Sequence, residues 1–168
     1  MIVLGLIALF LAVILIRAAS FKPKAQPPIS EEAVAFDKDA ATESLAALIR
    51  CKTVSYNDPA LEDEAEFQKL IDLLPGLYPK VFETCSFREL PDRALLLRWP
   101  GKSEKAPTVL MAHYDVVPVN EENWQKPPFD AIIEDGIMWG RGTLDTKGTF
   151  NGVLFAADTL IAQGFRPE

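Results

Sequence analysis

A single histidine and two cysteines are all that this 168-residue chain offers of the softer metal-binding and nucleophilic side chains. Cys51 and Cys85 stand far apart with no CxxC spacing, so they form neither a zinc knuckle nor a disulfide scaffold, and they leave the redox compartment open. Acidic residues are absent before position 31. Of the 17 basic residues Arg17, Lys22 and Lys24 lie in that stretch, which leaves 14 against 24 acidic residues in the remainder. An acidic domain with no basic cluster repels phosphate backbones, and this excludes nucleic acid as a partner. A phosphate loop is missing too: Lys147 is followed by Gly148 rather than Ser or Thr, and the glycine ahead of it stands at the wrong spacing. No internal repeat is present.

What the chain has in excess is apolar sequence at its start. All of Met1 to Ile16 is apolar apart from Gly5, a helix about 24 Å long at 1.5 Å per residue. That is slightly short of a hydrocarbon core of roughly 30 Å, and Ala18, Ala19 and Phe21 extend it while Arg17 snorkels. A single-pass membrane anchor is the favoured reading of residues 1–19. A cleaved signal peptide competes through the small residues Ala18-Ala19-Ser20, although no Lys or Arg precedes the apolar run. Arg17, Lys22 and Lys24 all follow the helix, so the positive-inside rule alone keeps the rest of the chain in the cytoplasm. Residues 20–36, with Pro23, Pro27 and Pro28, read as an extended stalk.

Residues 37–168 have the apolar content of an ordinary globular domain. Ala41, Leu45, Leu48 and Ile49 mark an amphipathic helix between Asp39 and Arg50, and Phe67, Leu70, Ile71 and Leu74 mark a second that stops at Pro75-Gly76. Val81–Phe87, Ala94–Trp99 and Thr108–Ala112 have the length and flanks of strands, the last apolar enough to be a buried central one. Ile132-Ile133 and Ile137-Met138-Trp139 flank Glu134-Asp135-Gly136, a hairpin signal. A further helix starts near Thr146 with Phe150, Val153, Leu154, Ala157 and Ile161 on one face and ends at Gly164. Helices mixed with buried strands define an α/β layered domain. Gly164 to Glu168 reads as a turn into another strand, so the domain is expected to be cut short there.

Chemistry concentrates in two places. His113 follows the apolar run Thr108–Ala112 with Asp115 two positions on, so at strand geometry the carboxylate can hold one imidazole nitrogen and leave the other for a metal. A bare HxD is also compatible with a strand-end histidine beside a turn-forming aspartate. In Trp139-Gly-Arg-Gly-Thr-Leu-Asp-Thr-Lys-Gly148, Asp145 precedes a helix and suits either an N-cap or a metal ligand. Arg141 reads as a salt-bridging loop residue rather than a substrate clamp. The acidic runs Glu31-Glu32, Glu62-Asp63-Glu64 and Glu121-Glu122 read as solvated surface.

Leu110-Met-Ala-His-Tyr-Asp-Val-Val-Pro118, Trp124, Pro127-Pro-Phe129, Asp135-Gly136 and Trp139 to Gly148, in this order and spacing, resemble the di-zinc aminoacylase and carboxypeptidase S family of metallopeptidases. The resemblance runs with decreasing strength from about Asp39 to Glu168. The apolar anchor and stalk are most similar to the membrane-tethered carboxypeptidase S and N-acyl amino acid hydrolase branch. It implies a three-layer α/β/α zinc-exopeptidase-like catalytic domain, truncated, behind one transmembrane helix. It also implies two zinc ions, with His113 a ligand of one, Asp145 bridging both, and Asp115 the catalytic-site partner that orients the imidazole. The Asp145-Thr146 bond is typically cis in that family. The implied substrate is a peptide or N-acyl amino acid, with the domain outside the cytoplasm, contrary to the charge count, and a homodimer only if a further domain is present. The family's Glu-Glu pair, further carboxylate and late histidine have no counterpart here. The chain is therefore expected to be the amino-terminal part of a zinc hydrolase, incomplete by itself. The alternative is a non-catalytic membrane-tethered α/β binding module.

Overall fold

The computed structural model describes residues 2–23, 35–105 and 107–168, and it separates into two units, Met1–Ala35 and Phe36–Glu168. Most of the expected stalk, with Glu31 and Glu32, lies outside the described residues. In the first unit α1 (Ile2–Ser20) has a mean hydropathy of 2.8 and no buried side chain. Its 19 residues span about 28 Å, long and apolar enough to cross a membrane, a test that a signal sequence also passes.

The second unit is built on a helical core. α2 (Lys38–Ile49) begins where the Asp37 carboxylate accepts the Ala40 N–H, and it buries Ser44, Ala46, Leu48 and Ile49. α3 (Glu64–Leu77) is capped in the same way by Asp63 and buries Phe67, Leu70, Ile71 and Leu74. It does not stop at Pro75: the ring removes one helical hydrogen bond, but Leu77 packs on the core and holds the last turn. Pro79–Thr84 then forms α4, where a strand is expected from Val81. Tyr78, Val81, Phe82 and Cys85 face the core at i, i+3, i+4 and i+7, a helical period, and Asp158 of the last helix accepts the Val81 N–H at 3.0 Å. Only Ser86–Glu89 remains as strand β1, paired antiparallel with β2 (Leu95–Arg98).

The hairpin is present as β3 (Ile132–Glu134) and β4 (Ile137–Trp139). Its turn places Asp135 at φ 51° and Gly136 at φ 77°, the left-handed pair that an Asp-Gly dipeptide tolerates. α5 (Lys147–Ala162) follows and turns its Phe150 and Leu154 into the core formed with Leu48, Phe67, Leu70 and Leu74.

Thr108–Ala112 departs most from expectation. It is not a buried strand: Val109, Leu110 and Met111 are 73%, 69% and 84% exposed. An apolar run specifies a need for burial, but a central strand also needs a neighbour on each side. Among the described residues the pairing near this run is a single parallel bridge, Val54 with Val116. The four strands thus form two separate antiparallel pairs, and the three-layer sandwich is not assembled among the described residues.

Glu62 is a second correction, because its side chain is only 5% exposed rather than solvated. It is paired with Arg93 and accepts the Tyr56 N–H at 3.0 Å, and these partners hold its carboxyl below the usual carboxylate range. Arg93 itself sits at φ 62°, with its guanidinium over the Phe67 ring at 3.9 Å and its carbonyl accepting the Tyr114 hydroxyl. A depressed carboxylate contributes stability that is present above its ordinary pKa and lost as pH falls through the depressed value. Glu62→Gln should therefore lower the melting temperature at pH 7, with the gap to wild type closing as the pH drops below about 4. A constant gap across that range, followed by circular dichroism, would show that the charge of Glu62 is not what stabilises the loop.

Candidate metal centre

The segment from His113 to Val116 alternates. Tyr114 and Val116 are buried, while His113 and Asp115 face outward on the same side. The buried side is fixed by Thr53: its Oγ1 donates to the Tyr114 carbonyl at 2.6 Å, and its carbonyl accepts the Val116 N–H at 2.8 Å. On the outer side Ser55 Oγ donates to Asp115 Oδ2 at 2.8 Å, leaving Oδ1 at 3.1 Å from His113 Nδ1. The Asp115 carbonyl lies 3.0 Å from the same nitrogen.

Asp145 arrives from the loop before α5. His113 N–H donates to Thr146 Oγ1 at 3.1 Å, and that hydroxyl donates back to the His113 carbonyl at 2.9 Å. This clasp sets Asp145 Oδ1 at 3.0 Å from His113 Nε2. The N-cap of α5 is Thr146, so Asp145 is not the cap, and the Asp145-Thr146 bond is cis. Gly148 permits this loop to close, since a Cβ there would collide with the Thr143 carbonyl oxygen.

The imidazole thus lies between two carboxylates. Partial burial pulls its pKa down, but hydrogen bonds to the Asp115 carbonyl and Asp145 and the charges of both aspartates outweigh that, so the net shift is upward. The donor set suits a divalent cation: one nitrogen is held by Asp115, and the other points at a carboxylate that is 85% exposed. Two donors fill two corners of a tetrahedral zinc site. Among the described residues no group of three or more His, Cys, Asp or Glu side chains is arranged so that it could hold a metal ion.

Three features of the site were not read from sequence. Ser55 holds Asp115 and Thr146 holds His113 across long separations that carry no local signal. Lys147 is fully buried, and its Nζ donates to the Leu48 carbonyl at 2.9 Å and the Cys51 carbonyl at 2.6 Å, closing the end of α2. Burial pushes its ammonium down to about 8. Its position was legible, because Lys147 shares the i, i+3, i+4, i+7 face of Phe150, Asn151 and Leu154. Arg141 makes no salt bridge among the described residues, contrary to expectation, and its guanidinium lies 5.0 Å from the Trp124 ring centre.

The helices and hairpins that carry this site are similar in fold to part of a metallo-carboxypeptidase. The unit resembles the crystal structure of an M20 family metallo-carboxypeptidase from Sulfolobus solfataricus, with a TM-score of 0.55 and 23% identity over 77% of this chain and 28% of that one. The profile of peptidase family M20/M25/M40 matches residues 109–168, which include His113, Asp115 and Asp145. A probable carboxypeptidase S-like 2 of Dictyostelium discoideum is 32% identical over 96% of the chain and 33% of its own length. The human N-fatty-acyl-amino acid synthase/hydrolase PM20D1 is 32% identical over 99% of the chain and 34% of its own length. Carboxypeptidase S of Saccharomyces cerevisiae is 31% identical over 78% and 25%. The chain spans about a third of the length of the curated relatives it matches. These relatives are named as carboxypeptidases or as an N-fatty-acyl-amino acid synthase/hydrolase.

Proposed function

We propose that this chain is the amino-terminal part of a zinc-dependent hydrolase that cleaves an amide bond next to a free carboxylate, in a peptide or an N-acyl amino acid. The observation that carries the reading is His113 held at Nδ1 by Asp115 and set 3.0 Å from Asp145 at Nε2. His113 and Asp145 are the residues that would hold the metal. When bound, zinc polarises an amide carbonyl and makes water a competent nucleophile near neutral pH. Asp115 keeps the imidazole in one orientation and one tautomer, with Ser55 keeping Asp115 in place. The family likeness over residues 109–168 supports the reaction class. α1 tethers the domain to a membrane in this reading, with the domain on the extracytoplasmic side.

Asp115→Asn tests the positioning role. The variant retains the size of the side chain but loses the anion facing Nδ1, and zinc affinity measured by competition with a chromophoric chelator should fall about 10–100-fold. Affinity equal to wild type would reduce Asp115 to a turn residue. A second reading, the tethered binding module without catalysis, is favoured by the presence of two donors rather than three among the described residues. Detectable amide hydrolysis by the chain alone would exclude it.

A further inference from the structure

His113 and Asp145 stand 32 positions apart and neither lies in a helix or a paired strand, so the gap between them is fixed from outside their own segments. The direct link is the Thr146 clasp, whose two hydrogen bonds are exposed and compete with water. A second link runs beneath the site and is buried. On the Asp145 side, Lys147 donates from Nζ to the Cys51 carbonyl at 2.6 Å and the Leu48 carbonyl at 2.9 Å. On the His113 side, Thr53 is fully buried, and it donates to the Tyr114 carbonyl and accepts the Val116 N–H. The two sides meet at one atom, because the Cys51 carbonyl that takes the ammonium also accepts the Thr53 N–H at 2.9 Å. Ser55 continues the path, donating its N–H to the Val116 carbonyl at 2.9 Å and its hydroxyl to Asp115. Gly142, at φ 92°, shows how closely the sides are packed: a Cβ there would lie 3.0 Å from Val116 Cγ1 and 3.1 Å from Lys147 Cδ.

We propose that residues 51–55 form a brace that sets the separation of His113 and Asp145, with Lys147 and Thr53 as its positioning residues. Lys147 follows Asp145 by two residues, so anchoring its ammonium anchors the loop that carries the carboxylate. Tyr114 lies between His113 and Asp115, so anchoring its carbonyl fixes both of those side chains. A charge-assisted donor in a buried setting is stronger than the neutral bonds of the clasp, and it is out of reach of water. The inference rests on the metal reading for why the separation matters: a metal accepts donor distances only within about 0.2 Å of its preferred values. The brace therefore holds two donors from distant segments at a fixed gap before any cation arrives.

The test is amide hydrogen exchange in the full ¹⁵N-labelled chain in detergent micelles. It is read at the His113 N–H, which bonds to Thr146 across the two sides, and at the Leu70 N–H in the core helix α3. Lys147→Met keeps the stem and removes the ammonium, and His113 exchange should accelerate about tenfold or more beyond any change at Leu70. Thr53→Val removes the hydroxyl and should also accelerate His113 beyond Leu70, while Thr53→Ser, which retains the hydroxyl, should keep the wild-type pattern. Equal acceleration at His113 and Leu70 in either Lys147→Met or Thr53→Val makes these ordinary core residues and overturns the proposal, as does an unchanged His113 rate. If Lys147→Met does not fold, the two Thr53 variants decide by the same criteria. Zinc titration of the wild-type chain by chelator competition separates this inference from the metal reading. The expected exchange pattern in a chain that binds no zinc sinks the metal assignment and leaves the brace, whereas zinc binding beside uniform exchange sinks the brace alone.

Discussion

His113→Ala should remove zinc binding from this chain and, in the longer protein that the proposed function implies, abolish amide hydrolysis. The imidazole supplies the one nitrogen of the site, and without it Asp145 is a lone carboxylate that is 85% exposed. The loss should exceed about 100-fold in affinity, beyond what a supporting residue costs. Folding should survive, because the ring is 52% exposed and its hydrogen bonds are to groups that water can serve. Chelator competition with near-ultraviolet circular dichroism as the folding control decides it. Zinc affinity within a few-fold of wild type in a folded His113→Ala protein would remove the basis for the metal centre.

The second large effect is on stability. Asn151 sits at the crossing of α2, α4 and α5, where its Oδ1 accepts the hydroxyls of Ser44 and Tyr78, each at 2.7 Å, and its Nδ2 donates to the Ala41 carbonyl at 3.0 Å. Asn151→Leu keeps the branched outline of the side chain but removes the polar atoms that serve Ser44, Tyr78 and the Ala41 carbonyl. A buried polar group left without its partner costs about 1–3 kcal/mol, and because Ser44 falls back on the Ala41 carbonyl that it already reaches, the Tyr78 hydroxyl is the group left unpaired; with the lost Asn151 hydrogen bonds the sum is roughly 2–4 kcal/mol. Against a domain stability of about 5–15 kcal/mol this is a large share, and a fall of roughly 6–15 °C in melting temperature is expected. Tyr78→Phe, which removes one hydroxyl and leaves Asn151 bonded to Ser44 and Ala41, should cost only about 1 kcal/mol. Equal losses in the two variants would show that the ring of Tyr78, and not the amide of Asn151, organises the crossing.

Both predictions concern side chains whose role depends on partners far along the chain, and this separates what was legible in the sequence from what was not. Local period and turn chemistry are enough for α2, for the face of α5 and for the β3–β4 hairpin, since each is decided within a few residues. The same holds for α1, whose length and apolarity need no partner. Where two local patterns compete, period alone was insufficient: Pro79–Thr84 contains β-branched and aromatic residues that suit a strand, and it is a helix because Val81, Phe82 and Cys85 find the core on one side. Thr108–Ala112 shows the converse, a strand-like composition without the neighbours that turn such a run into a sheet.

The candidate site divides in the same way. His113, Asp115 and Asp145 stood out in the sequence through residue type and spacing, because imidazole and carboxylate are the groups that metal chemistry requires. That Asp145 faces Nε2, that Thr146 clasps His113, and that Glu62 finds its cation in Arg93 are facts of convergence between segments about 30 or more residues apart. Sequence determined which groups this chain can bring to a site. Tertiary structure alone decided which of them meet, because a hydrogen bond of 3 Å depends on the packing of every element between its two ends.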